Sequence, residues 1–296
     1  MKKTLQRLLL GGAICFLASG CSTTTPIAQP SNLACTREDL RFIADNFFAA
    51  LEANNPSSLP LASNVRYTEN GIEVPVGKGV WETAGKTAFK RGMVDVQKCG
   101  PHVQAIIEEK ANPKPMLYGV RLKIDKEKIS EMEAIVVRGE QVLDVPALLD
   151  TKDQDWEGIL PPERRSSRLA MMAAADDYFE LFVKEKKRKV SDIAYSGVCD
   201  RWENGAQTTK GGEFQGMEFP AHNCSPEGFA DMTHPPRRFL VDEETGVVVA
   251  YVLFNNDWPD FHMFKMKNGK VDWIQAYFEY SKTYETMGWP DELACK

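Results

Sequence analysis

Histidine is scarce in this 296-residue chain, with four in all, and His102, His222, His234 and His262 are scattered rather than spaced as metal ligands. There is no Cys-x-x-Cys pair, so the sequence supports no metal centre. It also lacks a Gly-x-Ser-x-Gly elbow, a phosphate-cradling loop and a dinucleotide fingerprint, which argues against serine-hydrolase, nucleotide-dependent and nicotinamide chemistry. No cofactor is expected. Basic residues are the minority, 36 against 42 acidic, and a surface short of positive charge does not suit nucleic acid. Beyond the first twenty residues no long apolar run occurs, so no further membrane span is expected.

What is present begins with a basic start at Met1-Lys2-Lys3 and Arg7, an apolar stretch from Leu8 to Leu17, and Ala18-Ser19-Gly20-Cys21. This is the three-part layout of a secretory signal. It resembles a bacterial lipoprotein signal over residues 1–20, with Cys21 as the lipidated first residue of the mature chain. Residues 21–34 then read as a disordered tether. Ser22 in place of an aspartate resembles the outer-membrane sorting pattern, which implies a periplasm-facing, lipid-anchored protein of the bacterial envelope. Removing Lys2, Lys3 and Arg7 with the signal shifts the net charge from −6 to near −9. Disulfides persist in such a compartment. Cys35, Cys99, Cys199, Cys224 and Cys295 follow the signal region. Cys199 with Cys224 is the favoured pair, and Cys35 has either Cys99 or Cys295 as partner.

The tripeptide Glu-Asn-Gly occurs at Glu69-Asn70-Gly71 and again at Glu203-Asn204-Gly205. Each copy follows an amphipathic helix. In the first, Leu40, Ile43, Phe47, Ala50 and Leu51 fall at helical spacing behind Thr36 and Asp39; in the second, Leu169 to Val183 repeats the pattern. Asn-Gly after an alternating stretch predicts a hairpin. Strands are expected at 64–69, 72–76, 103–108, 116–124 and 129–137, with 80–93 as a helical or irregular crossover. In the second half they are expected at 197–203, 237–241, 247–254, 260–265 and 271–279. The hairpins Arg121 to Val137 and Arg237 to Phe254 read as equivalent members of an internal repeat. The organisation expected is a module at 35–143, a polar linker at 144–168 and a second module at 169–296. Two modules in one chain cover each other's sheets, so a monomer is expected.

The phrases VRYTENG, GKGVWETA and RLKIDKEKISEMEAIVVR, followed by CDRWENGAQTT and RRFLVDEETGVVVAYVLF, together resemble tandem SnoaL-like proteins of the nuclear transport factor two-like superfamily. That resemblance implies an α+β chain of two fused cone-shaped modules, each with helices packed on a strongly curved antiparallel sheet. It implies a pocket at one end of the cone for a small hydrophobic or aromatic molecule. Relatives include cyclases, dehydratases, isomerases and aldol-type lyases as well as non-catalytic binding modules, so the likeness does not choose an activity. The expectation is a cofactor-independent lyase, dehydratase, isomerase or hydrolase, with a non-catalytic binding or scaffolding lipoprotein as the alternative.

Strand alternation puts Tyr67 with Glu69 on one face, and Cys199, Arg201 and Glu203 on one face of the second copy. Glu69 and Glu203 are acid/base candidates if those faces look into a pocket, with Tyr67, His234 and His262 beside them. Alternatively each glutamate caps its turn or bridges the modules. Arg201 suits holding Glu203 ionised or binding a substrate carboxylate, and Arg237 follows His234 as an anion-site neighbour. Trp81 and Trp202 are either pocket walls that stack on a ring or core residues. His262, among aromatics, is either a satisfied buried histidine or part of a pocket.

Overall fold

The computed structural model describes residues 35–183, 193–214, 217–219, 221, 223–224, 237–254 and 257–280. The first half opens with helix α1, Arg37–Glu52. Strands β1 (Leu61–Glu69) and β2 (Ile72–Glu73), the short helix α2 (Val80–Thr83) and strands β3 (Ala84–Asp95), β4 (Gly100–Glu109), β5 (Asn112–Asp125) and β6 (Lys128–Val137) follow. After α3 (Val145–Leu149), the second half brings α4 (Arg168–Glu180), β7 (Tyr195–Glu203), β8 (Ala206–Gln207), β9 (Gly212–Phe214), β10 (Met217–Phe219), β11 (Arg238–Asp242), β12 (Val247–Phe254), β13 (Trp258–Lys267) and β14 (Lys270–Phe278). Apart from the β9–β10 ribbon, the strands form two six-stranded sheets, ordered β2-β1-β6-β5-β4-β3 and β11-β12-β13-β14-β7-β8.

These orders are one topology written twice. In each sheet a single parallel pair, β1 with β6 and β7 with β14, lies among antiparallel neighbours. Ladder register aligns the halves residue by residue. Ala134 pairs with Glu69 and Val120, while Ala276 pairs with Glu203 and His262. The ladder shifts between Lys123 and Ile124 and again between the equivalent Lys265 and Met266. The equivalent of the hairpin β5–β6 is therefore β13–β14, and β11–β12 corresponds to β3–β4. This corrects the equivalence expected between Arg121–Val137 and Arg237–Phe254. The cause is β3, a strand in the stretch expected as a crossover.

Local chemistry explains the conserved frame of the two halves. Thr36 and Ser167 cap α1 and α4 by accepting from Asp39 N–H and Ala170 N–H. Asn70 and Asn204 take positive φ, 49° and 45°, followed by Gly71 and Gly205 at 80° and 98°, as a two-residue type I′ turn requires. Each asparagine also extends the parallel ladder with its side chain. The Asn70 amide donates to Val136 O and accepts from Val136 N–H, at 2.9 and 2.7 Å. The Asn204 amide does the same with Phe278, at 2.9 and 3.0 Å.

The expected class, helices packed on curved sheets as two α+β cones, is overturned. The chain is mostly β, and each half has one long helix among the described residues. The physical reason lies in the strand faces. Alternate residues of each sheet, such as Ala105, Tyr118 and Met132, pack with the helix side chains Phe47 and Leu51. The opposite faces meet in a second core that joins both halves, with Ile106, Leu117 and Ile135 from one and Tyr251, Phe261, Met263 and Tyr277 from the other. Sheet-on-sheet burial thus does the work that additional helices would do in isolated cones. At the centre of this core Gly119 lies opposite its own repeat equivalent, Phe261, and a Cβ on Gly119 would sit 1.9 Å from the Phe261 ring.

The halves are also clasped reciprocally by charge. Arg168, at the start of α4, pairs with Asp95 at the end of β3 through contacts of 3.0 and 2.5 Å. Its equivalent Arg37, at the start of α1, pairs with Asp242 at the end of β11. Each aspartate also accepts a backbone N–H from the other half, Val241 N–H at 2.9 Å and Val94 N–H at 3.4 Å. Disulfides Cys35–Cys99 and Cys199–Cys224 staple the two halves individually. Residues 144–168 pack rather than trail: Leu148 and Trp156 are buried in the core between the sheets. Among the described residues no helix is long and apolar enough to cross a membrane. Cys21, His222, His234, Cys295 and the charged run 184–189 lie outside the described residues.

Two outcomes follow from this packing. Gly119→Val overpacks the inter-sheet core and should cost about 1–3 kcal/mol, part of it recovered by adding Phe261→Ala, as read from urea midpoints. Asp95→Asn leaves Arg168 without its countercharge and should cost about 3 kcal/mol by the same measurement.

Candidate functional site

The duplicated glutamates do different local work. Glu69 Oε1 accepts from the Tyr67 hydroxyl at 2.8 Å and from Val80 N–H at 2.6 Å, so its carboxylate closes the start of α2. Gly79, at φ 65°, is where that carboxylate crosses: an added Cβ would lie 2.2 Å from Glu69 Oε1. Both Tyr67 and Tyr118 nearby have phenol pKa values pushed up, chiefly by burial. The geometry gives Glu69 the turn-capping role. Trp81 is core, edge-on to Phe47 at 5.5 Å.

Glu203 instead lies 3.1 Å from Nε of Arg201. Arg201 is fully buried; Nε also donates to Thr208 Oγ1 and Nη1 to the Tyr178 hydroxyl, each at 3.0 Å. Nη2 is buried and has no hydrogen-bond partner among the described residues. Burial works against the charge of Arg201, yet Glu203 and Tyr178 hold its pKa above the ordinary value. Next to this group, His262 Nδ1 is 2.8 Å from Asp260 Oδ1, and both residues are buried. Burial, opposed by His262 and reinforced by the Glu203 charge, raises the Asp260 pKa. Tyr178, Phe179, Phe254 and Phe264 pack their rings around His262.

The ladder alignment shows how this cluster arose. Arg201 stands where the first half has Tyr67, Asp260 where it has Tyr118, and His262 where it has Val120. Counting from the helix caps, Tyr178 stands where the first half has Phe47. Glu203 alone keeps the identity of its counterpart, Glu69. At the other four positions the first half is apolar or phenolic, whereas the second carries Arg201, Asp260 and His262 beside the phenol of Tyr178. Sequence reading named Arg201, Glu203 and His262 but missed Asp260 and Tyr178. The signal for Asp260 was its i, i+2 spacing to His262 on one strand face.

The remaining candidates lie elsewhere. Trp202 is on the opposite strand face from Arg201, buried with its indole N–H unpartnered. Arg237 pairs with Asp176 and Glu180 of α4 and covers the Phe179 ring at 5.2 Å. His102, one of the four scattered histidines, sits on β4 in the inter-sheet core with Nδ1 2.7 Å from the Tyr251 hydroxyl. A cavity of about 200 Å³ lies in the first half between α1, β3, β4 and Glu157, and one of about 730 Å³ lies along a seam between the halves. Neither is lined by Glu69, Glu203 or His262. No cluster of metal-binding side chains occurs among the described residues.

Residues 164–278 match the family model "Domain of unknown function (DUF8021)", a stretch that runs from just before α4 to the end of β14. No curated protein sequence matches the chain. A crystal structure of a protein from Sphaerobacter thermophilus is similar at 10% identity over 33% of this chain and 94% of that one, with a TM-score of 0.28, too low to carry an argument about fold.

Burial holds the His102 imidazole neutral, its pKa lowered from 6.5 to about 3. The unfolded chain therefore binds the extra proton first, and the stability contributed by neutral His102 is complete above pH 6.5 and is lost as pH falls toward 3. His102→Gln should remove up to about 1.4 kcal/mol per pH unit of that slope, measured by urea unfolding at pH 4 to 7.

Proposed function

We propose that this chain is an envelope lipoprotein, anchored through Cys21 and facing the periplasm, whose second half binds a small, largely apolar molecule bearing a carbonyl or carboxylate oxygen. The supporting observation is the conversion of four repeat-equivalent positions to Tyr178, Arg201, Asp260 and His262, with one donor of Arg201 left without a partner. A buried donor without an acceptor costs about 1–3 kcal/mol, and a ligand oxygen at Nη2 removes that cost. Phe179 and Phe254 pack on His262, and Phe182 and Trp258 pack on Phe254, which gives the cluster an aromatic side.

Asp260 accepts from Nδ1 of His262 and so orients the ring, leaving Nε2 as the atom that takes or returns a proton. The chemistry this suits is cofactor-independent proton transfer next to a carbonyl, as in an isomerase or a lyase. Arg201 would hold the oxygen on which negative charge develops. The two disulfides fit an oxidising compartment. Because each sheet is covered by a helix and by the other sheet, a monomer is the proposed state.

A second reading, a non-catalytic binding or scaffolding lipoprotein, is favoured by the structural engagement of Glu69 and by the ion pair of Glu203. The two separate in one experiment on the mature chain: saturation-transfer NMR with a panel of aromatic carboxylates and enones, followed by deuterium exchange from D2O into any ligand that binds. Under the catalytic reading Arg201→Met weakens binding about tenfold, equivalent to 1.4 kcal/mol, and His262→Gln keeps binding but abolishes exchange. Binding with no exchange in the wild type selects the second reading. Binding indifferent to Arg201→Met removes the site assignment altogether.

A further inference from the structure

Each half turns one arginine toward the core between the sheets from an equivalent position, and the two charges are balanced differently. Arg238 lies opposite Tyr251 on the β11–β12 ladder and Arg91 opposite Gln104 on β3–β4, and the next strands bring in the equivalent Phe261 and Gly119. Arg238 donates to Glu133 Oε1, and the same carboxylate accepts from Arg121 Nε at 2.5 Å. By the ladder register Gln275 stands in place of Glu133, and Met263 in place of Arg121. Around Arg91 a carboxylate and a guanidinium have thus become neutral side chains, while Arg91 itself has kept its charge. Glu157 acts on Arg91 from the surface, but its carboxylate is paired with Arg41 and accepts from Gly92 N–H at 2.8 Å.

Arg91 is 5% exposed. Its Nη2 donates to Thr151 Oγ1, and its guanidinium lies over the rings of Phe89 at 4.6 Å and Trp156 at 5.6 Å. Nε and Nη1 are buried and have no hydrogen-bond partner among the described residues. Other donors gather beside them. Gln104 Nε2 donates to Gln275 Oε1 at 3.4 Å across the sheets, which leaves Gln275 Nε2 and Gln104 Oε1 without partners. Tyr277 follows Gln275 by two residues on the same face of β14, and its buried hydroxyl makes no hydrogen bond of ordinary geometry. Burial raises the Tyr277 pKa, opposed by Arg91 and Gln104, and burial lowers that of Arg91 to about 10, opposed by Tyr277 and Glu157. Two guanidinium nitrogens, an amide nitrogen and a phenol therefore share one free acceptor, Gln104 Oε1. Water can satisfy such donors, but it leaves a buried charge unbalanced; an anion satisfies both demands.

We propose that the core between the sheets binds a small monovalent anion of chloride size among Arg91, Gln275 and Tyr277, supplying the negative charge that Glu133 supplies to the equivalent arginine. The ion is small because Phe89, Trp156 and Thr151 already cover the guanidinium. Arg91 also lines the cavity of about 200 Å³ at edge strand β3. The site is separate from the second-half cluster, which lies between sheet and helix rather than between the sheets.

The test is urea unfolding of the full mature protein in mixtures of sodium chloride and sodium gluconate at constant ionic strength, so that screening is the same throughout. Stability should rise saturably with chloride; a Kd of about 10 mM shifts the folding equilibrium about tenfold at about 100 mM chloride, or about 1.4 kcal/mol. Gln275→Glu restores the carboxylate of the equivalent site, and should abolish the chloride dependence while keeping the stability that the wild type reaches in chloride. Arg91→Met should abolish the dependence as well; where that variant fails to fold, Gln275→Glu decides alone. Arg201→Met should retain the dependence, which separates this ion from any bound by the second-half cluster. A crystal soaked in bromide should show its anomalous peak between Arg91 and Gln275. Stability indifferent to chloride, or a dependence that survives Gln275→Glu, overturns the proposal. A bromide peak without any effect in solution marks an adventitious ion only, and overturns it too.

Discussion

Two buried aspartates hold this molecule in its arrangement. Asp95 and Asp242 occupy the same position in the two halves, at the end of β3 and β11, and each accepts an arginine and a backbone N–H from the other half. A buried carboxylate is costly unless paired and hydrogen-bonded. Each also accepts backbone N–H groups of its own turn, Asp95 from Gln97 and Lys98 and Asp242 from Thr245, but its arginine comes from across the seam. The interface is thus self-complementary in the manner of a two-fold dimer, built inside one chain. The clasp fixes how the sheets face, and the facing sheets determine that Gly119 meets Phe261 and that two seams open on either side.

Duplication then permits asymmetry. A symmetric dimer places the same residue on both sides of every contact, but a fused pair can differ, and this chain differs in the places where function is argued. At the centre it sets a glycine against a phenylalanine, which two identical copies could not do. In the space between sheet and helix, one half keeps tyrosines and valine while the other carries an arginine, an aspartate and a histidine. Along the seams, the linker fills one, and among the described residues no equivalent segment fills the other. Glu69 and Glu203 show the same divergence at a single residue: one carboxylate caps a helix start, and its counterpart neutralises an arginine.

Much of the local structure was readable from the residues. Asn-Gly after an alternating strand gave both turns, the 3.6-residue spacing gave α1 with its buried Leu40, Ile43, Phe47, Ala50 and Leu51, and cysteine placement gave Cys199–Cys224. The readings that failed did so for identifiable reasons. Strand β3, Ala84–Asp95, is an edge strand whose Lys86, Lys90 and Gly92 dilute the apolar alternation, so its pairing with β4 comes from the sheet rather than from its own pattern. Missing it displaced the repeat alignment by one hairpin and hid the equivalence of Asp95 with Asp242. The cone expectation failed for a related reason: a strand buried on both faces looks the same in sequence whether a helix or a second sheet covers it. The side-chain partnership of Asn70 and Asn204 with a neighbouring strand was also hidden, since nothing in Asn-Gly announces a bond to a residue 66 or 74 positions away.

The second-half cluster bears on a general difficulty, that a buried ion network can be mistaken for a stabilising one. Such a network is often no better for stability than apolar residues of similar size, so its presence does not by itself explain why it is kept. Here the chain carries its own comparison. The first half builds the same helix, turn, parallel pair and bulge around Phe47, Tyr67, Tyr118 and Val120, and buries them all. The frame therefore closes without Arg201, Asp260 or His262. Glu203 neutralises the arginine, and Asp260 orients the histidine, but neither accounts for the free donor at Arg201 Nη2. A requirement of folding would appear in both halves; a requirement for a ligand need appear in only one. The distribution of charge between otherwise equivalent halves is what carries the proposal that the cluster serves a ligand.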